Sequence, residues 1–362
     1  MGLSLHYKKR LTYCYPVKKN VSFSLIARNH IKYGLGERYY VFHVDVDNLR
    51  FLRLLPTNYV LLHPLFYPFY YCLYNDRELQ YQLAKIRSTR CDKIVALDTA
   101  DSDRISDRAV MIGNYLPDVI IVPSEYSRKA YIDSGVKKPI HVLPHGVSDV
   151  FFTDIFVIKD HQLLFIYKKA KNEGKKIMLF FCLHSEYRKG ADIVHKAVNI
   201  LRKERNDFIL LCKFSTHNQP YIDMCDYIIT KFMGDDELKT LYDISDIVLV
   251  PSRGGGFELN GLEALIRDRP IIYPKESCIE EYAGKIIPEL GVKISSSPVV
   301  LKDNPIHVGR GHEIDLEDFI NKIHYALDNV DELKLKVKER FKDKYLYQWR
   351  KIVMKLIDII EC

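Results

Sequence analysis

Residues 251–270 read PSRGGGFELNGLEALIRDRP. The residues before them, Ile247-Val248-Leu249-Val250, form a short apolar run of the kind that makes a buried strand. Gly254, Gly255 and Gly256 follow, and from Leu259 to Ile266 the residues Leu262, Leu265 and Ile266 give a helix one apolar face. Strand, glycine loop and helix start together make a place for an anion or a polar ligand. Glycines let the backbone approach closely, and the unpaired N–H groups of the first helical turn face the ligand. Glu263, one turn into the helix, is placed to accept hydrogen bonds from a ribose diol, and Glu258 lies on the loop side of the same turn. Taken alone, these residues read equally as a glycine-rich connection with two solvated glutamates.

The stretch resembles the nucleotide-sugar signature of family 4 glycosyltransferases, retaining enzymes of the GT-B fold. That pattern runs roughly P-S-x-x-E-G-F-G-x-x-x-x-E-A, and Pro251, Ser252, Gly256, Phe257, Leu262, Glu263 and Ala264 fall in place. Two positions depart from it: Gly255 stands where the family has its first glutamate, and Glu258 where it has a glycine. The resemblance gives Glu263 the ribose-binding role. The role of the missing glutamate does not carry over, and Glu258 takes it only if it reaches back across the loop.

Two further blocks agree with this resemblance in order. Ile177 to Leu183 reads as a strand running into His184-Ser185-Glu186-Tyr187-Arg188-Lys189-Gly190, followed by an amphipathic helix from Ala191 to Arg202. Arg188 supplies a planar donor fork and Lys189 a point charge, both suited to a diphosphate, although the same residues fit a solvated basic loop. Lys189-Gly190 matches the family's Lys-Gly pair, while the family arginine five residues earlier falls on His184. In the first half, strand Val119 to Val122, the N-cap Ser124, the C-cap Gly135 and the exit turn Pro144-His145-Gly146 resemble the end of the family's amino-terminal domain. The resemblance puts His145 near the cleft, with a purely structural turn role as the alternative.

Other strands are expected at Arg10 to Val17, Tyr39 to Val44, Tyr59 to Leu62 and Lys93 to Leu97, with a helix at Asn75 to Arg87. Lys93 to Leu97 discharges into Asp98-Thr99-Ala100-Asp101-Ser102-Asp103. Polar residues at the carboxyl end of a parallel strand are where open α/β sheets place ligands; a helix-capping cluster is the plainer alternative. The aromatic group Phe66, Tyr67, Phe69, Tyr70 and Tyr71 reads as core or interface, or as an acceptor groove or membrane-touching loop. Residues 151 to about 175 show little pattern and read as a link, and Tyr345 to Ile360 is an amphipathic segment carrying the only tryptophan, Trp349.

A chain of 362 residues is long enough for two domains, each with its own core. With 47% hydrophobic and 28% charged residues it is neither disordered nor fibrous. No apolar run approaches about 18 residues, so no membrane-spanning helix is expected. The first residues lack the features of a signal peptide, and Gly2 is followed at position 6 by His6 rather than Ser or Thr, against myristoylation. The eight cysteines form no CxxC pair, and Cys182 and Cys212 sit in apolar strand-like runs; the expectation is a reduced intracellular chain with no zinc site. The formal charge of +7 allows anionic partners without choosing among them.

Alternating strands and helices predict parallel sheets covered on both faces. With the resemblance, the expected architecture is α/β and GT-B-like: two Rossmann-like domains facing a central cleft. Residues 1–150 would bind the acceptor and 151–344 the nucleotide sugar, and 345–362 would form a C-terminal helix crossing back to the first domain. The implied donor contacts are His184, Arg188, Lys189, Gly255, Gly256, Phe257, Leu259 and Glu263, and the candidate catalytic acids are Glu258, Asp98 and Asp101. The implied reaction is retaining and metal-independent, and uses a nucleoside diphosphate sugar with no further cofactor. Its acceptor would be a glycan, a lipid-linked molecule or a protein, and its setting the cytoplasm, with peripheral membrane contact as an option. The missing first glutamate keeps open a GT-B-like binding or regulatory protein. The positive charge keeps open sugar transfer onto nucleic acid, against which stands the lack of a nucleic-acid motif or clustered basic arm.

Overall fold

The computed structural model describes residues 8–362, so Gly2 and His6 lie outside the described residues. The chain divides into two units. Unit 1 is the chain up to Gly146 with Lys302–Gly309 and Tyr347–Cys362; unit 2 is Val147–Leu301 and Arg310–Leu346. The excursion Lys302–Gly309 therefore folds with the first unit rather than within 151–344. Ile306 is buried in the unit 1 core, and Ser106 holds the segment by donating from its hydroxyl to the Pro305 carbonyl (2.7 Å) and from its N–H to the Ile306 carbonyl (2.8 Å).

Unit 1 is built on six parallel strands: β1 Arg10–Tyr15, β2 Tyr40–Asp45, β3 Tyr59–Leu62, β4 Lys93–Leu97, β5 Val119–Val122 and β6 Ile140–Val142. They lie in the order β2-β1-β3-β4-β5-β6. The run Tyr59-Val60-Leu61-Leu62 is buried at every position, as expected of a strand covered on both faces. One face carries a core that includes Leu62, Phe66, Leu79, Ile94 and Ile112. The other is closed by the C-terminal helix Trp349–Glu361, whose Trp349, Ile352, Val353 and Leu356 pack with Leu11, Tyr13, Leu61 and Val95.

Unit 2 repeats the plan with β7 Lys176–Cys182, β8 Phe208–Phe214, β9 Tyr227–Ile229, β10 Ile247–Leu249, β11 Ile271–Pro274 and β12 Gly291–Val292, all parallel. The order β12-β11-β10-β7-β8-β9, read from the other edge, is the doubly wound 3-2-1-4-5-6 arrangement. Its switch point lies between β7 and β10, the strands that lead into the basic loop and the glycine loop. A short hairpin, β13 Ile294–Ser296 with β14 Glu313–Ile314, stands apart from the sheet.

Two expectations fail in unit 2. Residues His161–Asn172 form a helix within the segment read as a link; Leu163, Ile166 and Ala170 give it a buried face that the surrounding lysines obscure in the sequence. Cys212 and Cys225 are joined by a disulfide, against the expectation of a fully reduced chain. Cys212 is on β8 and Cys225 lies just before β9, and the pairing of these strands brings their Cα atoms to 6.1 Å, within disulfide reach. Among the described residues, no helix is long and apolar enough to cross a membrane.

Candidate functional site

The switch point of unit 2 gathers two loops. After β7 a short helix, α1 Glu186–Lys189, ends at Gly190 and is followed at once by α2 Ala191–Glu204. Gly190 has a left-handed φ of 75°, and a Cβ there would collide with the carbonyl oxygen of Pro251. Glycine thus lets the basic loop and the glycine loop lie backbone against backbone. The contact is reinforced by hydrogen bonds from the Arg253 N–H to the Arg188 carbonyl (2.7 Å) and from the Arg188 guanidinium to the Gly254 carbonyl (2.9 Å).

Glu258 is buried at this junction. The Lys189 ammonium donates to both of its carboxylate oxygens at 2.6 Å, and the Ser252 hydroxyl donates to Oε1 at 2.8 Å. Its carboxylate reaches back over the loop, because a Cβ added to Gly255 would collide with Glu258 Oε1. The acid that follows the phenylalanine therefore occupies the space where a side chain at 255 would begin. One turn further on, Glu263 on helix α3 Leu259–Ile266 accepts a hydrogen bond from the Tyr242 hydroxyl (2.8 Å). Burial pushes the Glu263 carboxyl up to about 8, although the Tyr242 bond pulls the other way.

Arg253, 2% exposed, locks the arrangement. Its guanidinium meets Asp192 at 2.7 and 2.8 Å and Glu313 at 2.6 and 3.0 Å, donates to the Tyr187 carbonyl, and lies 4.0 Å from the centre of the Tyr187 ring. One side chain thus ties the glycine loop to α1, to the start of α2 and to β14. Planar two-pronged pairing to two carboxylates is a task lysine cannot perform.

The carboxyl ends of the unit 1 strands hold a different assembly. The Tyr13 hydroxyl on β1 is 2.9 Å from His30 Nδ1 and 3.2 Å from His63 Nδ1, and His63 directly follows β3. Asp98, directly after β4, accepts from the N–H of Thr99 (2.7 Å) and of Phe66 (3.1 Å). Burial pushes the Asp98 carboxyl up to about 7, and it pushes His30 down to about 3, His145 down to about 4 and His63 well below its ordinary range. Asp101 lies on the same loop, where its N–H points to His307 Nδ1 at 3.4 Å.

A family profile described as Family 4 Glycosyltransferase in conflict systems matches residues 230–356, which include the glycine loop and α3. Putative glycosyltransferase 45 of a Sulfolobus islandicus filamentous virus is 27% identical over 277 residues, covering 72% of this chain and 74% of its own. Uncharacterized protein 356 of Sulfolobus islandicus rod-shaped virus 1 is 33% identical over 337 residues, 92% of this chain and 93% of its own. The chain belongs to the family 4 glycosyltransferases. The fold agrees: Anabaena HepE, solved in complex with UDP and glucose, superposes with a TM-score of 0.67 at 12% identity over 98% of this chain and 99% of that one. Sucrose-phosphate synthase from Thermosynechococcus elongatus gives 0.66 at 13% identity over 98% of each chain. The two doubly wound sheets are those of a GT-B glycosyltransferase.

Within this glycosyltransferase, the residues read from the sequence separate into groups. Arg188, Lys189, Gly255, Gly256 and Glu258 come together at the unit 2 switch point. Phe257 stacks obliquely on Tyr282 (5.6 Å), Leu259 opens α3, and Glu263 lies one turn into that helix. His184 is exposed on the basic loop, with its Nδ1 2.9 Å from the Ser185 hydroxyl. Asp98 and Asp101 belong to unit 1, and only Asp98 lines its cavity. Sequence reading passed over Arg253, although an arginine inside a ligand-loop motif is a signal for a buried ion cluster. It also passed over Tyr13, His30 and His63, which only the strand order brings together.

Proposed function

We propose that this glycosyltransferase moves a sugar from a nucleoside diphosphate sugar to an acceptor, with retention at the anomeric carbon and without a divalent metal. The donor lies at the switch point of unit 2. Lys189 and Arg188 face the diphosphate with the N–H groups that open α3, and stabilise the negative charge that gathers on it as the bond from the anomeric carbon to the phosphate oxygen breaks. Glu263 accepts the ribose hydroxyls. Structures of the same fold carry UDP with glucose and UDP-2-fluoro-glucose, which supports a donor of this class.

The observation that carries the reading is the position of Glu258. Its carboxylate fills the space a side chain at Gly255 would enter and is bonded to Lys189. Glu258 is thereby the acid that contacts the sugar in place of the family's first signature glutamate. The donor would be found by screening nucleoside diphosphate sugars for thermal stabilisation and slow hydrolysis by mass spectrometry. With that donor, Glu258→Gln should lower turnover at least about tenfold, roughly 1.4 kcal/mol of transition-state stabilisation, and change donor affinity less. Gly255→Glu alone should inactivate by collision, and the double variant Gly255→Glu/Glu258→Gly should recover part of the loss. Undiminished turnover in Glu258→Gln removes Glu258 from the reaction. Activity abolished by EDTA and restored by magnesium overturns the metal-free reading. A wild-type protein that binds nucleotide sugars yet neither transfers nor hydrolyses them is a binding module.

A further inference from the structure

Unit 1 contains a cavity of about 20 Å³ at the carboxyl ends of its strands. About 10–15 Å³ is enough for one water, so the space suits one or two oxygen atoms and not a whole ring. Phe23, Leu97, Ile121 and Leu143 supply apolar wall, and His30, His63, His145, Asp98 and Thr99 supply polar atoms. Thr99 Oγ1 is enclosed and has no hydrogen-bond partner among the described residues. Tyr13, behind the wall, fixes the δ nitrogens of His30 and His63.

The charge of this lining is informative. None of the lining residues is Lys or Arg. The imidazoles are held uncharged at neutral pH by burial and bring no net charge, and with the δ nitrogens of His30 and His63 engaged by Tyr13 each of these two rings has only its ε nitrogen left, a donor in one ring and an acceptor in the other. Asp98, the only carboxyl in the lining, repels an anion to whatever extent it ionises. A phosphate or carboxylate would enter without a counter-charge, at a desolvation cost that buried anions do not bear unpaired. A hydroxyl can donate to one imidazole nitrogen and accept from another or from Thr99.

We propose that this cavity is the subsite for an uncharged hydroxyl of the acceptor, and that the acceptor presents a neutral sugar or polyol end here rather than a phosphorylated or acidic one. The inference rests on the transferase reading above, and Thr99 is the residue that distinguishes it from a purely structural cluster. The test uses the full-length protein with UDP or GDP as the donor-site probe, and with glucose, galactose and mannose, their 6-phosphates and their uronates as acceptor-site probes. Binding is read by saturation-transfer NMR and calorimetry. At least one neutral hexose should bind, and its charged counterparts should bind no better. Thr99→Val should weaken that hexose about tenfold, Thr99→Ser should restore it, and nucleotide affinity should not move in either. His145→Gln gives a second reading should Thr99→Val fail to fold, again with a loss confined to the hexose. Preference for a phosphate or uronate, unchanged hexose binding in both Thr99→Val and His145→Gln, or nucleotide binding with no neutral hexose bound would each overturn the proposal. Loss of nucleotide binding in the wild type would break the donor reading instead, and leaves the hexose result to decide this one.

Discussion

At the carboxyl edge of the second sheet, Lys189 faces Glu258 and Arg253 is clasped by Asp192 and Glu313. At the corresponding edge of the first, Tyr13, His30 and His63 share hydrogen bonds among groups that burial keeps uncharged. The backbone plan is nearly the same in both: six parallel strands with polar residues beyond their carboxyl ends. What separates them is how each edge keeps its polar groups satisfied. One balances full charges against each other. The other removes the charges and is left with directional neutral donors and acceptors. A shared architecture therefore carries little information about ligand chemistry, and the side chains at the strand ends carry most of it.

The contrast can be broken most severely at Arg253. Arg253→Leu leaves Asp192 and Glu313 without their buried counter-charge and should cost unit 2 about 3–5 kcal/mol. Amide hydrogen exchange should show that loss in β7, β10 and β14 while the unit 1 strands keep their protection. Equal loss in both units would mean that the cluster does not act locally in unit 2.

The disulfide distinguishes the units next. Cys225→Ser opens a link across a sequence separation of 13 and should lower stability by about 3 kcal/mol, with reductant producing the same shift in the wild type. Chemical denaturation with and without reductant checks this, and an unaltered midpoint would show that the bond is not formed in solution.

A pH series sharpens the comparison further. In unit 1, His30 and His145 fall from the ordinary 6.5 to about 3 and about 4, and His63 also falls, so the unfolded chain binds more protons between about pH 4 and 6.5. Their contribution is complete above pH 6.5 and is lost as the pH drops, at about 1.4 kcal/mol per pH unit for each group. Asp98, raised from 3.8 to about 7, opposes one of the three. In unit 2, Glu263 is raised from 4.5 to about 8, so its contribution is complete below pH 4.5 and is lost as the pH rises toward 8. Between pH 5 and 6.5 the protection of unit 1 should rise with pH while that of the strands around Glu263 falls. Parallel trends would contradict the opposite charge design of the two edges.

The smallest expected effect concerns donor binding. Glu263→Ala should weaken nucleotide affinity by about 1–3 kcal/mol, the range for hydrogen bonds to a charged group. Ribose hydroxyls donating to Glu263 favour its ionised form, so binding at pH 7 should release a proton in the wild type and none in the variant. Calorimetry in buffers of different ionisation enthalpy measures both quantities, and unchanged affinity would remove the ribose role.

Much of the scaffold was legible because its strands are buried on both faces. The runs at Tyr59–Leu62, Lys93–Leu97 and Val119–Val122 and the helix Leu259–Ile266 begin and end at the residues expected from apolar runs and their punctuation. The meeting of the basic loop and the glycine loop was legible for a related reason: its parts are two local strand–loop–helix units, each complete within a short stretch. What escaped depends on strand order. Cys212 and Cys225 meet because β8 pairs with β9, and Tyr13, His30 and His63 meet because β1 pairs with β3. No local pattern encodes such pairings. Helix His161–Asn172 escaped because its lysines weaken the periodicity that Leu163, Ile166 and Ala170 supply.

The route of the chain through its two units also bears on how the protein is made. Leu11, Tyr13, Leu61 and Val95 are synthesised before the second unit, but Trp349, Ile352, Val353 and Leu356, which cover them, come after it. Everything from Val147 to Leu346 must leave the ribosome in between. The second unit is therefore the first whose residues are all present, while one face of the earlier sheet waits with its apolar side chains uncovered. Nascent chains halted just short of Trp349 would present that face to chaperones and to one another, a hazard of synthesis order that the finished molecule does not display.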